Sequence, residues 1–214
     1  MFKSKRVLIT AGPTWVPIDD VRVISNSASG ETGILLAKEA RKRAFGVTLL
    51  MGPGTVYPKM PHVVLKPFRY FDELRASLKQ TLTKNVFDLI IFAAAVSDYK
   101  PARVTCGKMN SGKSSVSLKL VATPKLITEV KKLQPGATLV GFKYELGLKK
   151  EALIHEARTL MRKSSADMVV ANTRKKDGSY CAYIVEACGA VSGEINSKTA
   201  LAKILFTKYE HMIG

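Results

Sequence analysis

RVLITAGPTWVPIDDVRVISNSASG, residues 6–30, carries the most informative pattern in the chain. Val7–Thr10 reads as a buried strand that stops at the turn Gly12-Pro13-Thr14. A polar loop of small residues follows and leads into a helix. A strand, a small-residue loop and a helix N-terminus, in that order, make a place for phosphate. Backbone amides and the helix dipole face the anion, and short side chains let it approach.

Working outward, apolar runs alternate with helical periodicity. Gly33–Arg43 has helical spacing, and Gly46–Met51 is a strand ended by Gly-Pro-Gly at 52–54. Val63–Lys66 is a short strand. Phe71–Leu82 is amphipathic, with Leu74, Leu78 and Leu82 on one face. Phe87–Ala95 is almost continuously apolar, which predicts a buried central strand. Lys100–Ser117 is polar and aperiodic, and is expected to form a surface flap. Beyond it the pattern predicts a helix over Thr123–Leu133 with Pro124 in its first turn, and a strand over Thr138–Lys143. A helix over Lys149–Lys163 and a strand over Asp167–Ala171 come next. Ser179–Ala187 and Ala190–Ile195 read as a hairpin turning at Gly189. A last helix spans Lys198–Met212, capped by Asn196 or Ser197. The expectation is one domain, residues 1–214. It is an α/β, Rossmann-like, doubly wound and mostly parallel sheet with a mixed or antiparallel end.

The 214 residues are 46% hydrophobic, enough to bury a core, yet no apolar run approaches the ~18 residues of a membrane span. The basic N-terminus MFKSKR precedes an apolar stretch too short for a signal peptide, so a cytoplasmic location is expected. Cys106, Cys181 and Cys188 match no zinc or redox spacing and are expected to be reduced thiols. Net charge is +17, from 34 basic and 17 acidic residues. The basic residues are dispersed and are not interleaved with aromatics, which weighs against nucleic acid. A polyanionic small molecule or a solvated basic surface accounts for the charge better.

On an open α/β sheet, ligands bind beyond the carboxyl ends of the strands. The candidates are therefore Gly12, Pro13 and Thr14; Arg22 to Gly30; Ala93 to Asp98; Phe142 to Glu145; and Asn172. The first loop is neither GxGxxG nor GxxxxGK[ST], so the phosphate site is of another kind. SNSASG at 25–30 offers Ser25, Asn26, Ser27 and Ser29, more short polar side chains than one helix cap needs. Asp98 could hold a hydroxyl, an amine or a metal, or simply shape a turn. Lys108, with Lys113, could close over phosphates or lie solvated. His62, His155 and His211 have no metal-ligand spacing. With no GxSxG elbow, the chain is suited to holding two reactants together and neutralising charge.

These residues resemble the phosphopantothenate–cysteine ligase family of coenzyme A biosynthesis, also called phosphopantothenoylcysteine synthetases. The resemblance rests on VLITAGPT at 7–14, PIDDVRVISNSASG at 17–30, AAAVSDYKP at 93–101, Lys108, TPKLI at 123–127, LVGFKYE at 139–145 and DMVVANT at 167–173. It implies ligation of 4′-phosphopantothenate and L-cysteine through an acyl nucleotide. CTP or ATP would be the co-substrate, Mg²⁺ would accompany the triphosphate, and the assembly would be a homodimer. By resemblance Gly12, Pro13, Thr14, Ala94, Asp98, Lys108, Pro124, Lys125, Leu126, Ile127, Phe142 and Lys163 bind nucleotide. Asn26, Lys108 and Arg22 carry the chemistry, and Asn26, Ser27, Ser29 and Gly30 hold the substrate. No protein side chain is assigned to the metal.

The chain departs from the family pattern in three places. The flap, usually Lys-x-Lys-Lys, reads Lys108, Met109, Asn110, Ser111. Leu160 and Ser164 stand where two lysines are usual, and Lys163, one residue off, is the expected substitute. The segment GFKYEL replaces a GFKAET-like one. Many bacterial relatives carry a fused flavin-dependent decarboxylase; nothing in these 214 residues corresponds to it, so the resemblance covers the ligase half alone and leaves room for a separate decarboxylase protein as a partner. The alternative reading is a nucleotide- or nucleic-acid-binding protein on the same scaffold with impaired catalysis. A nicotinamide-dependent reductase is disfavoured by the missing GxGxxG and ribose acid.

Overall fold

A computed structural model describes residues 4–54, 60–110, 112 and 114–214. In chain order its strands and helices are β1 (Arg6–Ala11), β2 (Trp15–Pro17), β3 (Val23–Ser25), α1 (Glu31–Lys42), β4 (Gly46–Met51), β5 (Val63–Pro67), α2 (Phe71–Lys84) and β6 (Leu89–Phe92). There follow β7 (Tyr99–Pro101), β8 (Leu120–Ala122), α3 (Ile127–Leu133), β9 (Thr138–Tyr144), α4 (Lys150–Ser164), β10 (Met168–Arg174), β11 (Tyr180–Glu186) and α5 (Lys198–Ile213).

Seven of these strands form one sheet in the order β11-β10-β9-β6-β1-β4-β5. Every neighbouring pair is parallel except β10 with β11, which gives the antiparallel end. Alternate residues feed two cores. Val7, Ile9, Leu49, Ile91 and Val170 pack beneath α1 and α5, whereas Leu8, Leu50, Ile90, Leu139 and Val169 pack beneath α2, α3 and α4. The central strands are covered on both sides, so they read as continuous apolar runs rather than alternating ones. Gly33 lets α1 lie close on β1: a Cβ there would fall 2.2 Å from the Ala11 Cβ.

The order reverses between β1 and β6. From β1 the chain winds outward through β4 and β5, then returns to β6 and winds the other way. That is the topological switch point, where open α/β sheets leave a crevice for ligands. The ends of β1 and β6 open into it.

Several expectations move in detail. The central strand is shorter than Phe87–Ala95, because beyond Phe92 the backbone turns to bond the loop after β1: the Ala95 amide donates to Gly12 O at 2.9 Å. Helix α3 begins at Ile127, not Thr123. Thr123 is instead held by its amide on Asp98 O and its hydroxyl on Ser97 O, which leaves Pro124 outside the helix. Ala190–Ile195 is no regular strand, though the Ala182 and Ile195 backbones exchange hydrogen bonds and Gly189 makes the turn. Ser197, not Asn196, caps α5, accepting the Ala200 amide at 3.1 Å. The antiparallel ribbons β2–β3 and β7–β8 have no counterpart in the sequence reading. Among the described residues no helix is long and apolar enough to cross a membrane.

Candidate active site

The loops beyond β1 and β6 are tied into one unit. The Thr14 amide donates to Ala95 O at 3.3 Å, the Ala94 amide to Thr10 Oγ1 at 3.1 Å and the Ser97 amide to Thr14 Oγ1 at 2.9 Å. Thr14 and Ser97 are buried, so these polar groups are satisfied by each other and hold the two loops in register. On the other side the Gly12–Pro13 turn lies against Gly52. A Cβ on Gly52 would stand 2.2 Å from Pro13 O, so backbone meets backbone there. Gly12, Pro13, Thr14 and Ala94 thus form a rigid cradle at the switch point.

The SNSASG loop closes one wall of the cradle. The Asn26 Nδ2 donates to Ala95 O at 3.0 Å, reaching across to the β6 loop. The Ser25 hydroxyl donates to Thr14 O at 3.4 Å. Asn26, Ser27 and Ser29 are exposed beside the cradle, with Ser29 Oγ accepting the Glu31 amide at 3.3 Å. Gly30 is the N-cap of α1 and packs on Gly12, bringing the positive end of a 12-residue helix to the loops.

The Arg22 side chain meets the backbone of Met109, the residue after Lys108, although 87 positions separate them. Arg22 Nη1 pairs with Asp19 Oδ2 at 2.5 Å and donates to Met109 O at 3.3 Å. Asp19 Oδ2 also accepts the Met109 amide at 3.0 Å, while its Oδ1 accepts the amides of Val21 and Arg22. The Asp19 side chain is wholly buried. Burial works to raise its carboxyl; the Met109, Val21 and Arg22 amides and the Arg22 guanidinium outweigh that and hold it at about 2. Lys108 itself is exposed. Lys113 and Ser111 lie outside the described residues.

Asp98 and Lys125 are exposed and form an ion pair at 2.5 Å across the base of the β7–β8 ribbon. Pro124 is exposed beside it, but the Leu126 and Ile127 side chains are buried beneath the sheet, so only their backbone can face a ligand. Phe142 is half-buried on the α1 side of β9, in register with Val170 of β10. Next to it Lys143 bonds Glu145 at 2.7 Å. Burial lowers its ammonium, but Glu145 and Glu156 win and raise its pKa above the usual lysine value. Lys163 is not brought to this cluster within one chain. It is exposed on the last turn of α4, near Asp167, whose amide bonds Leu139 at the start of β9. That is the opposite end of the sheet from the cradle.

A family model for the DNA/pantothenate metabolism flavoprotein C-terminal domain matches residues 2–211. The chain belongs to this family. It is 40% identical over 177 residues to the coenzyme A biosynthesis bifunctional protein CoaBC of Thermococcus kodakarensis, a match covering 83% of this chain and 43% of that one. The chain thus spans less than half the length of this curated relative. Among solved structures, a DNA/pantothenate metabolism flavoprotein from Streptococcus pneumoniae superposes with a TM-score of 0.87 at 23% identity, covering 98% of this chain and 100% of that one. The C-terminal domain of a CoaBC superposes with a TM-score of 0.80 at 26% identity, covering 99% and 96%. A Cab2 mutant solved in complex with phosphopantothenate-cysteine shares the fold, with a TM-score of 0.74 at 18% identity, covering 98% and 87%.

In this member of the DNA/pantothenate metabolism flavoprotein family, sequence reasoning passed over Asp19, Asp20, Gly52 and Thr123. Asp19 had one readable signal, an Asx turn onto Val21. Its second oxygen reaches a residue 90 positions away, which no local pattern announces. Asn172 was a candidate from its place at the end of β10. Among the described residues its Oδ1, with the Tyr180 hydroxyl diagonal to it on the same sheet face, is buried without a hydrogen-bond partner.

Proposed function

We propose that this chain joins 4′-phosphopantothenate to L-cysteine. In the first step the substrate carboxylate attacks the α-phosphorus of CTP or ATP, forming an acyl nucleotide and releasing pyrophosphate. In the second the cysteine amine attacks the acyl carbon, the nucleoside monophosphate leaves, and the amine loses a proton. The reading is supported by the name of the relatives, CoaBC, and by the phosphopantothenate-cysteine in complex with the Cab2 mutant. The observation that carries it is the bond from the Asn26 amide to Ala95 O, which joins the SNSASG loop to the cradle.

Each group has a physical task on this reading. Gly12, Pro13, Thr14 and Ala94 give the phosphates a fixed surface of small residues to lie against; the Thr14 and Ala94 amides are bonded to Ala95 O and Thr10 Oγ1, and the Thr14 hydroxyl to Ser97. Gly30, at the positive end of α1, and the hydroxyls of Ser27 and Ser29 face the phosphopantothenate. Asn26 orients the acyl nucleotide between the two loops. Asp98, Lys125, the Pro124–Ile127 backbone and Phe142 receive the nucleoside. Lys108 and Arg22 offset charge on the departing nucleotide in the transfer step.

Mg²⁺ fits as a companion of the triphosphate. On this reading the cation is coordinated chiefly by phosphate and water. When bound it neutralises phosphate charge.

A second copy of the chain completes the proposal. Tyr99, Leu118, Leu120 and Val121 are exposed on or beside the β7–β8 ribbon. Exposed apolar side chains gathered on one ribbon suit a homodimer contact.

The test incubates the protein with 4′-phosphopantothenate, cysteine and Mg²⁺, with CTP and ATP in separate reactions. Pyrophosphate release and phosphopantothenoylcysteine formation with one of them are expected. No release with either would sink the ligase reading. Nucleotide binding without turnover would favour the impaired nucleotide binder.

A further inference from the structure

We infer that Asp19 and Asp20 are positioning residues that hold the Lys108 backbone against the 18–22 turn, and that this clamp, rather than flap closure alone, sets Lys108 for the transfer step. The inference rests on the ligase reading for its consequence but not for its geometry. The two residues flanking Lys108 are each gripped by a different carboxylate. The Gly107 amide donates to Asp20 Oδ2 at 2.8 Å and the Met109 amide to Asp19 Oδ2 at 3.0 Å. Backbone bonds extend the seam. Thr105 N–H donates to Ile18 O at 3.0 Å and Asp20 N–H donates to Gly107 O at 3.4 Å. Arg22 closes it by donating to Met109 O at 3.3 Å.

The clamp couples the two cations of the site. Asp19 Oδ2 binds both the Arg22 guanidinium and the Met109 amide, so the Arg22 side chain and the Lys108 backbone share one buried anchor. The contacts made by Asp20 are to main chain, which specifies where residue 107 sits without specifying its side chain. Lys108 is the first lysine of a flap whose further lysines are replaced by Asn110 and Ser111. With fewer cations in the segment, the placement of this one carries more of the charge compensation. A displaced donor loses most of its catalytic value, because stabilisation of developing charge depends on preorganisation.

Asp20 is exposed, so its substitution leaves the core intact and makes the cleaner test. Asp20→Ala removes the acceptor for Gly107; Asp20→Asn keeps one. With CTP or ATP as established for the wild type, Asp20→Ala is expected to slow cysteine transfer about tenfold while pyrophosphate release in the first step stays within about twofold, so acyl nucleotide accumulates. Asp20→Asn is expected to restore transfer to within about threefold of wild type. Hydrogen exchange of the Gly107 and Met109 amides, measured without substrates, is expected to accelerate in Asp20→Ala and not in Asp20→Asn. Unchanged transfer in Asp20→Ala, equal loss of both steps, or failure of Asp20→Asn to rescue would overturn the positioning role. Unchanged exchange would overturn the clamp itself. If the wild type makes no acyl nucleotide, the ligase reading fails while the exchange measurement still decides the clamp.

Discussion

The seven-stranded sheet and the two small ribbons beside it are built on opposite principles. In the sheet, β1, β6, β9 and β10 are buried on both faces, and their order is dictated by where apolar side chains can hide. In the β2–β3 and β7–β8 ribbons, three-residue strands carry exposed side chains such as Val23, Tyr99 and Leu120, and the chain is held by polar contacts at long sequence separation. The scaffold thus draws its stability from burial, and the candidate active site draws its geometry from a few hydrogen bonds that contribute modestly to stability. Damage to the two regions should therefore have different signatures.

The largest effect is expected in the sheet. Ile91→Ala, in a fully buried strand position, should cost about 2–5 kcal/mol in denaturant unfolding, with the remaining folded protein keeping its balance between the two steps. A shifted balance would mean that core and clamp are not separable. Lys108→Gln tests the other side. Transfer should fall about 100-fold, equivalent to about 2.7 kcal/mol, with acyl nucleotide accumulating and stability changed by less than about 0.5 kcal/mol. Equal loss in both half-reactions would contradict its assignment to transfer.

Gly52→Ala probes the seam between the regions. Its methyl would press on Pro13 O, so a loss of about 1–3 kcal/mol and a raised KM for nucleotide are expected together. A stability loss with unaltered KM would place nucleotide elsewhere than the cradle.

Acid offers a smaller and reversible probe. The Asp19 carboxyl sits at about 2 in the folded protein, below its unfolded value of about 3.9, so its contribution is complete above pH 4 and disappears as pH falls through 2. The Met109 amide resonance should then titrate near pH 2; a midpoint near 4 would show that the carboxyl is not clamped. The smallest effect is expected for Lys163→Ala. Exposed at the far end of α4, it should leave nucleotide KM within about twofold, unless a second copy brings it to the site.

The legibility of the molecule follows the same division. Leu74, Leu78 and Leu82 announce α2 because one face of a helix repeats every three to four residues. Val7–Thr10 and Leu89–Phe92 announce buried strands by being apolar throughout. Gly12, Asn26, Ala94 and Asp98 were readable as site candidates because each follows a strand end, where parallel sheets present ligands. Nothing local marks Asp20 as a partner of Gly107, since that contact spans 87 positions. Thr123 reads as a helix start, and the carbonyls of Ser97 and Asp98 draw it into a turn instead.

Taken alone, the sequence determined the alternation of strands and helices, the covered parallel sheet and the loops that offer candidate site residues. Those follow from hydrophobic period and turn residues, which act over a few positions. The tertiary structure alone decided that Gly12–Thr14 and Ala94–Ser97 lock into one cradle, that Arg22 and the Lys108 backbone share Asp19, and that Lys163 stands at the other end of the sheet. Those depend on which distant backbone groups meet. A hydrogen bond across 80 or 90 residues leaves no periodic trace, because either partner alone looks like an ordinary surface polar residue.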